Sequence, residues 1–364
     1  MYLNEICNLF EDFASLKLQE SYDNSGLLIG SKAMKINAIL VTIDITEAVV
    51  DEAILNNCNL IIAHHPLIFS GIKQLTGKDE TQRCIIKLIK NDIAVYAAHT
   101  NFDNVIEGVN GKIADKIVLI NRSVLTPLKH QYLKLITYVP KLHATQVRNA
   151  LFEAGAGKIG NYDSCSYNVE GLGTFKANIN AKPFVGEANV LHSEAEIRIE
   201  VILPIHLQEF VINALLKSHP YEMPAYDLVK LENIDKRLGA GIVGDLPVAV
   251  NDIDFLNQLK SEFNCQLIRH TNLKDDKIKR IALCGGSGSF LLNDAINADA
   301  DIFISADFKY HEFFNAENRI IVADLGHFET EQFTKHIFYE IITKKMPTFA
   351  VRISETKTNP INYL

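Results

Sequence analysis

The chain has 364 residues, 48% of them apolar and 22% charged, which suffices to bury a sizeable core in two or three domains. Its formal net charge of −8 argues against nucleic acid as a partner, since such binders concentrate positive charge to displace counterions. No apolar run approaches a bilayer span and Met1-Tyr-Leu-Asn-Glu carries no basic region, so a cytoplasmic chain without signal or membrane anchor is expected.

Residues 1–128 read as alternating helices and strands. Leu3 to Phe13 has helical apolar spacing, Ala38-Ile-Leu-Val-Thr-Ile reads as a buried strand, and Glu47 to Asn56 as a helix begun near Thr46. Strands follow at Leu60-Ile-Ile-Ala and Ile93-Ala-Val-Tyr-Ala-Ala, with a helix around Thr81 to Asn91 between them. Short continuous apolar strands separated by helices predict a largely parallel sheet covered on both faces.

Residues 129–235 differ in character. A strand from Tyr132 and a helix over Ala144 to Glu153 precede glycine- and asparagine-punctuated strands around Ser164 to Lys176. A strand at Arg198-Ile-Glu-Val-Ile-Leu, a helix over Leu207 to Lys217 and a strand at Tyr226-Asp-Leu-Val-Lys-Leu complete the segment. This is the βαββαβ order of a ferredoxin-like domain, inserted between two halves of one core.

Residues 236–364 repeat the first part. "IDITEAVVDEAI" (43–54) lies over "GGSGSFLLNDAI" (285–296), and the same offset puts His65 on Asp307 and "NLIIAHH" on "DIFISAD". A shorter offset lays "VYAAHTNFD" over "VADLGHFETE", so that His99 meets His327 and Asp103 meets Glu331. The shared register over two motifs points to duplication. The expected fold is α/β: a duplicated three-layer α/β/α core with mostly parallel or mixed sheets, plus the inserted domain. The six scattered cysteines, with no CxxC pair, read as small buried hydrophobes.

In open α/β sheets, ligands bind beyond the carboxyl ends of the strands. His64, His65, His99, Asp103, His327 and Glu331 all follow directly from a predicted strand. Four imidazoles and two carboxylates at one edge suit divalent ions. Phe333, Ile337, Phe338 and Ile341 predict a helix starting near Thr330, and its first turn places His327 and Glu331 four apart on one face. The pair His64-His65 is more demanding. Neighbours on an extended strand point opposite ways, so both serve one site only if the chain turns near Pro66 or ions lie on either side. "CGGSGS" (284–289) follows a strand and precedes a helix. Gly285, Gly286, Ser287 and Gly288 there read equally as a phosphate cradle or a tight turn.

The stretches "IIAHHPLIF", "AHTNFD", "CGGSGS", "DIFISADFKYHE" and "ADLGHFETE", in this order, resemble the Nif-three-like dinuclear metal proteins, the GTP cyclohydrolase I type 2 homologues. "ESYDNSGLLIG" fits as well, with Tyr22 where tryptophan is usual. The resemblance covers essentially the whole length and implies that the insert is PII/CutA-like. Ala177, where the family commonly has proline, is a departure. Carried over, the metal ligands fall on His64, His65, Asp103, His327 and Glu331, with Glu331 bridging, and His99 outside the usual ligand set. His99 and His311 are then candidates for proton transfer.

The resemblance further implies two divalent ions per chain (Zn, Fe, Mn or Ni), a nucleotide-type small-molecule substrate and a ring-shaped homohexamer. The expected function is metal-dependent hydrolysis, GTP ring-opening with formate release. The alternative is a metal-binding regulatory or chaperone-like protein whose insert senses a small ligand without turnover. Asp23 and Asn24 stand at the site's edge by resemblance, while Asp44 and Asp324, at strand ends, read as capping or orienting groups.

Overall fold

The computed structural model describes residues 1–274 and 276–364. The chain divides into two compact units, one made of Met1–Pro127 with Lys236–Leu364, the other of Leu128–Asp235.

In the first unit, strands Ala38–Thr42, Leu60–Ala63 and Ala94–Ala97 lie parallel in that order. Ala350–Ile353 joins parallel outside the first, and Gly26–Ile29 runs antiparallel beside the third. Every residue of Leu60–Ala63 and Ala94–Ala97 is buried, which is why these stretches are continuously apolar rather than alternating. The second sheet repeats the plan. Lys277–Ser287, Ile302–Ala306 and Ile321–Asp324 lie parallel in that order, with Arg269–His270 antiparallel beside the third. Gly239–Asn251 and Ile120–Pro127 extend the other edge antiparallel. Each half thus holds the same three-strand parallel centre, and both sheets are mixed at their edges. The Gly239–Asn251 strand escapes sequence reading because Gly239, Gly241, Gly244 and Pro247 imitate turn signals within it.

Helix starts follow local capping chemistry. Thr46 Oγ1 accepts from Val49 N (3.3 Å) to open Glu47–Leu55, and Asp79 accepts from Gln82 N (2.9 Å) to open Glu80–Lys90. Phe10 packs its ring against Tyr96, Phe102 and Phe338 at centroid distances of 5.6, 5.7 and 5.6 Å, joining elements of both halves in one core. The helix expected from Thr330 is two helices, His327–Glu331 and Thr334–Lys345, so His327 itself lies in the first turn. Gly326, at φ +99°, is the residue from which that short helix starts. All six cysteines are free.

The second unit has the element order βαββαβ. Its antiparallel sheet runs Tyr167–Lys176, Leu191–Pro204, Tyr132–Pro140, Tyr226–Leu231, with helices Ala144–Glu153 and Gln208–Ser218. Leu135, Val147, Leu151, Ile199, Val211 and Leu215 form its own fully buried core. Tyr132 pairs with Leu231, so the segment enters and leaves at one place, as an insertion requires. The Leu191–Pro204 strand begins before Arg198 because His192, Ser193, Glu194 and Glu196 in its first half are polar and mask the apolar signal. Among the described residues, no helix is long and apolar enough to cross a membrane.

Candidate metal centre

The adjacent histidines are resolved by a bend. The strand ends at Ala63, and His64 and His65 continue off its tip while their backbone N–H groups still donate to Thr42 O (3.3 Å) and Ile43 O (2.9 Å). Their rings lie 4.9 Å apart at 45°, near enough to serve one centre.

Each of four imidazoles has Nδ1 occupied by an acceptor. His64 Nδ1 meets Ala98 O (2.8 Å), His65 Nδ1 meets Asp44 Oδ1 (2.7 Å), His99 Nδ1 meets Asp23 Oδ1 (2.7 Å) and His327 Nδ1 meets Asp307 Oδ2 (2.6 Å). A proton donated from Nδ1 leaves a lone pair at Nε2, the arrangement by which proteins orient metal-binding histidines. Nε2 of His65, His327 and His64 stands 2.9, 3.0 and 3.6 Å from Glu331 Oε2, and Asp103 Oδ1 lies 3.8 Å from His64 Nε2. His65 Nε2 and His327 Nε2 are 3.2 Å apart. With Nε2 deprotonated, as a metal ligand must be, the convergence is of electron pairs.

The donor set fits a metal. His64 Nε2 and Glu331 Oε2 are buried without a hydrogen-bond partner, which is costly in a finished core and ordinary for ligands. Among the described residues, two groups have ligand atoms close enough to hold an ion: His64, His65 and His99, and His65, His327 and Glu331. His99 therefore stands within ligand reach, its ring 5.2 and 5.5 Å from those of His64 and His65.

The charges are strongly coupled. Burial works against a charged His65, but the carboxylates of Asp44 and Glu331 beside it override this and push its pKa up to about 10. His327 is likewise opposed by burial and pushed up to about 11 by Asp307 and Glu331. Asp103 rises to about 7, through burial first and the Glu331 carboxylate second. Glu331 is held well below the usual range, the histidines outweighing its burial. A pocket that draws positive charge onto its imidazoles is one that favours a cation at the same place.

The backbone is shaped to this cluster. Gly286, at φ +60°, runs beneath Glu331, where an added Cβ would meet Glu331 Oε1 at 2.2 Å. Gly285 N donates to Asn110 Oδ1 (2.8 Å) and Gly286 N to Thr330 Oγ1 (3.0 Å). Gly285 and Gly286 belong to the strand Lys277–Ser287 rather than to a turn, and Gly288 precedes the 3₁₀ segment Ser289–Leu291. Ser287 Oγ donates to Asp307 Oδ2 (2.7 Å). His311 is exposed on the 3₁₀ helix Tyr310–Ala316, its ring against Tyr310 and Phe314.

Sequence reasoning passed over Asp307 as an orienting group, although the internal repeat sets it opposite His65. It adopts φ +58°, and from there grips His327. Asp23 gains Thr100 Oγ1 (2.5 Å), Thr100 N (3.1 Å) and Ser25 Oγ (2.8 Å) besides His99. These bonds outweigh its burial and hold its carboxyl far below the usual range. Asp44 also accepts from Thr358 Oγ1 (2.6 Å), a tail residue that no motif marks. Asp324 accepts from Phe308 N (3.0 Å) and Gly326 N (3.1 Å), steadying the turn before His327.

A model of the family described as Duf34/NIF3 (NGG1p interacting factor 3) matches residues 1–360. A Bacillus subtilis protein named GTP cyclohydrolase 1 type 2 homolog is 38% identical over 370 residues, covering 99% of this chain and 98% of that protein. The crystal structure of a Bacillus cereus protein related to NIF3 is similar at TM-score 0.84 and 36% identity, covering 100% of this chain and 99% of the other. A Staphylococcus aureus crystal structure is similar at TM-score 0.80 and 28% identity, with the same coverage.

Proposed function

This chain belongs to the Duf34/NIF3 family, and on that footing we propose that it is a dinuclear divalent-metal protein acting as a hydrolase on a nucleotide-type substrate. One observation carries the reading: four imidazoles anchored at Nδ1 gather with Glu331, whose Oε2 and the His64 Nε2 are buried and unpartnered. His64, His65, Asp103, His327 and Glu331 would hold two ions, with Glu331 shared. A mixed imidazole and carboxylate set accepts Zn, Fe, Mn or Ni.

When bound, the ions supply Lewis acidity for attack of water on a polarised substrate. The chain's own groups do the rest. Asp44 and Asp307 keep the His65 and His327 rings turned inward. His99, steadied by Asp23, takes or returns a proton at Nε2, with His311 the other candidate. The Gly285–Gly288 stretch approaches a substrate phosphate at its Ser287 end, its first two N–H groups being engaged within the protein. The relatives' name makes GTP the substrate to try, with ring-opening and loss of formate. The insert is read as a ferredoxin-like domain of the PII/CutA kind, and the assembly as a cytoplasmic ring hexamer. A regulatory role without turnover is the second reading, favoured by a cavity in the inserted unit.

The test is metal analysis of the purified chain together with formate release from GTP across the four metals. About two ions per chain are expected, as in two-metal sites. Glu331→Gln should retain fewer, and chelation should lower the wild-type melting temperature. Formate release restored by a metal supports the hydrolase. Full occupancy with no turnover of any nucleotide moves the assignment to the regulatory reading, and no bound metal at saturating supply removes both.

A further inference from the structure

Within the unit Leu128–Asp235, a cavity of about 550 Å³ opens on the sheet face turned away from the two helices. Glu196 and Arg198 line it and alternate with Ile197 and Ile199, which belong to the helix-covered core. Four rings line the cavity, those of Tyr138, Phe175, Phe184 and Tyr221, with the Tyr221 centroid 6.2 Å from Phe175 and 6.4 Å from Phe184. Glu196 sits among them. Its Oε1 accepts from the Tyr221 hydroxyl at 2.8 Å, and its Oε2 occupies the space over Gly173, where an added Cβ would come within 2.2 Å.

Among the described residues, Glu196 has no cation within ion-pair distance, because Arg198 is engaged with Glu200 at 2.8 Å. The other acids on the wall are spoken for: Glu170 pairs with Lys141, and Glu222 accepts from Lys182 N. An unneutralised carboxylate beside aromatic rings attracts positive charge, and a cation seated in the cavity against those rings comes within the roughly 6 Å over which a cation and a ring interact. A metal ion would need several oxygen or nitrogen ligands, which one carboxylate does not provide. An anion would meet three carboxylates against one arginine, which is itself paired with Glu200. The volume is that of a small organic ligand.

We propose that this cavity binds a small organic cation, an alkylated or quaternary ammonium compound, with Glu196 as counter-ion and Phe175, Phe184 and Tyr221 as its walls. The site lies wholly in the inserted unit and is independent of the metal centre.

The full-length protein should be titrated calorimetrically with choline, tetramethylammonium and 3,3-dimethylbutan-1-ol, the uncharged counterpart of choline. Choline and tetramethylammonium should saturate, and the alcohol should bind about tenfold more weakly, the order expected of a cation–ring contact together with a carboxylate. Glu196→Gln should weaken choline by a similar factor with its melting temperature unchanged. Tyr221→Phe, which keeps the ring and frees the carboxylate, should cost less. Glu331→Gln should bind choline as wild type does, which separates this site from the metal reading. Absence of saturable binding overturns the proposal, as does equal affinity for the alcohol or an unaffected Glu196→Gln. Should Glu196→Gln fail to fold, the comparison of choline with the alcohol on wild type decides alone.

Discussion

His65 and His327 stand 262 positions apart in the chain, yet their Nε2 atoms are 3.2 Å from each other and 2.9 and 3.0 Å from the same Glu331 oxygen. Two lone pairs and a carboxylate oxygen at that separation repel unless positive charge lies among them. The carboxylates behind the rings, Asp44 and Asp307, keep the rings from turning away. Protons on the two rings, or an ion in their place, supply that charge.

Gly286→Ala should therefore act on the centre without touching a ligand. A Cβ there meets Glu331 Oε1 at 2.2 Å, and φ +60° is a strained value for alanine. We expect a stability loss of roughly 1–3 kcal/mol by urea unfolding, together with reduced metal content. Full metal content in a folded Gly286→Ala would show that Glu331 is not where the ion needs it.

The carboxylates behind the histidines should set affinity rather than presence. Asp44→Asn and Asp307→Asn are expected to weaken metal binding about tenfold or more in chelator competition. Thr358→Val, which removes the hydroxyl bonded to Asp44, should have a smaller effect in the same direction, and Thr358→Ser should restore it. Affinities indistinguishable from wild type in both Asp variants would make these contacts incidental.

The C-terminal segment should loosen in acid. Glu52 accepts from Ser354 Oγ (2.6 Å), Glu355 N (2.9 Å) and Thr356 Oγ1 (2.6 Å). Burial opposes its ionisation, but these bonds prevail and hold its pKa below the ordinary glutamate value. A depressed folded pKa means that the stabilisation is complete above the ordinary value and is lost as pH falls through the folded one. Hydrogen-exchange protection over 350–358 should be intact at neutral pH and fall below about pH 4, near and under the free carboxyl value. Glu52→Gln should weaken protection at neutral pH and flatten the pH response.

The inserted unit should stand alone. It has its own buried core, and its terminal strands pair at Tyr132 and Leu231. Excised residues 128–235 are expected to unfold cooperatively in denaturant, and Leu151→Ala within them to cost about 2–5 kcal/mol. A gradual, non-sigmoidal transition for the excised piece would mean that its core depends on the rest of the chain.

Many of these elements are legible along the chain because their signals are local. Leu3–Phe13, Ala144–Glu153 and Tyr226–Leu231 have the observed bounds that their spacing predicts. Strands buried on both faces are apolar runs, and Thr46 announces its helix through its own hydroxyl. Gly239–Asn251 was hidden because its glycines and proline say "turn" at a distance of a few residues, whereas its partners Ile120–Pro127 and Lys277–Ser287 lie far away and hold it extended.

What the amino-acid order determined by itself was the alternation of helix and strand, the βαββαβ segment, and the histidines and acids stationed at strand ends, since periods of two and 3.6 residues need no tertiary partner. The tertiary structure alone decided which acceptor holds each Nδ1. Asp23 reaches His99 across 76 positions, and Thr358 reaches Asp44 across 314. Such pairs leave no spacing to read, because the sheet topology that brings them together is set by burial of the whole apolar core and not by any segment of it.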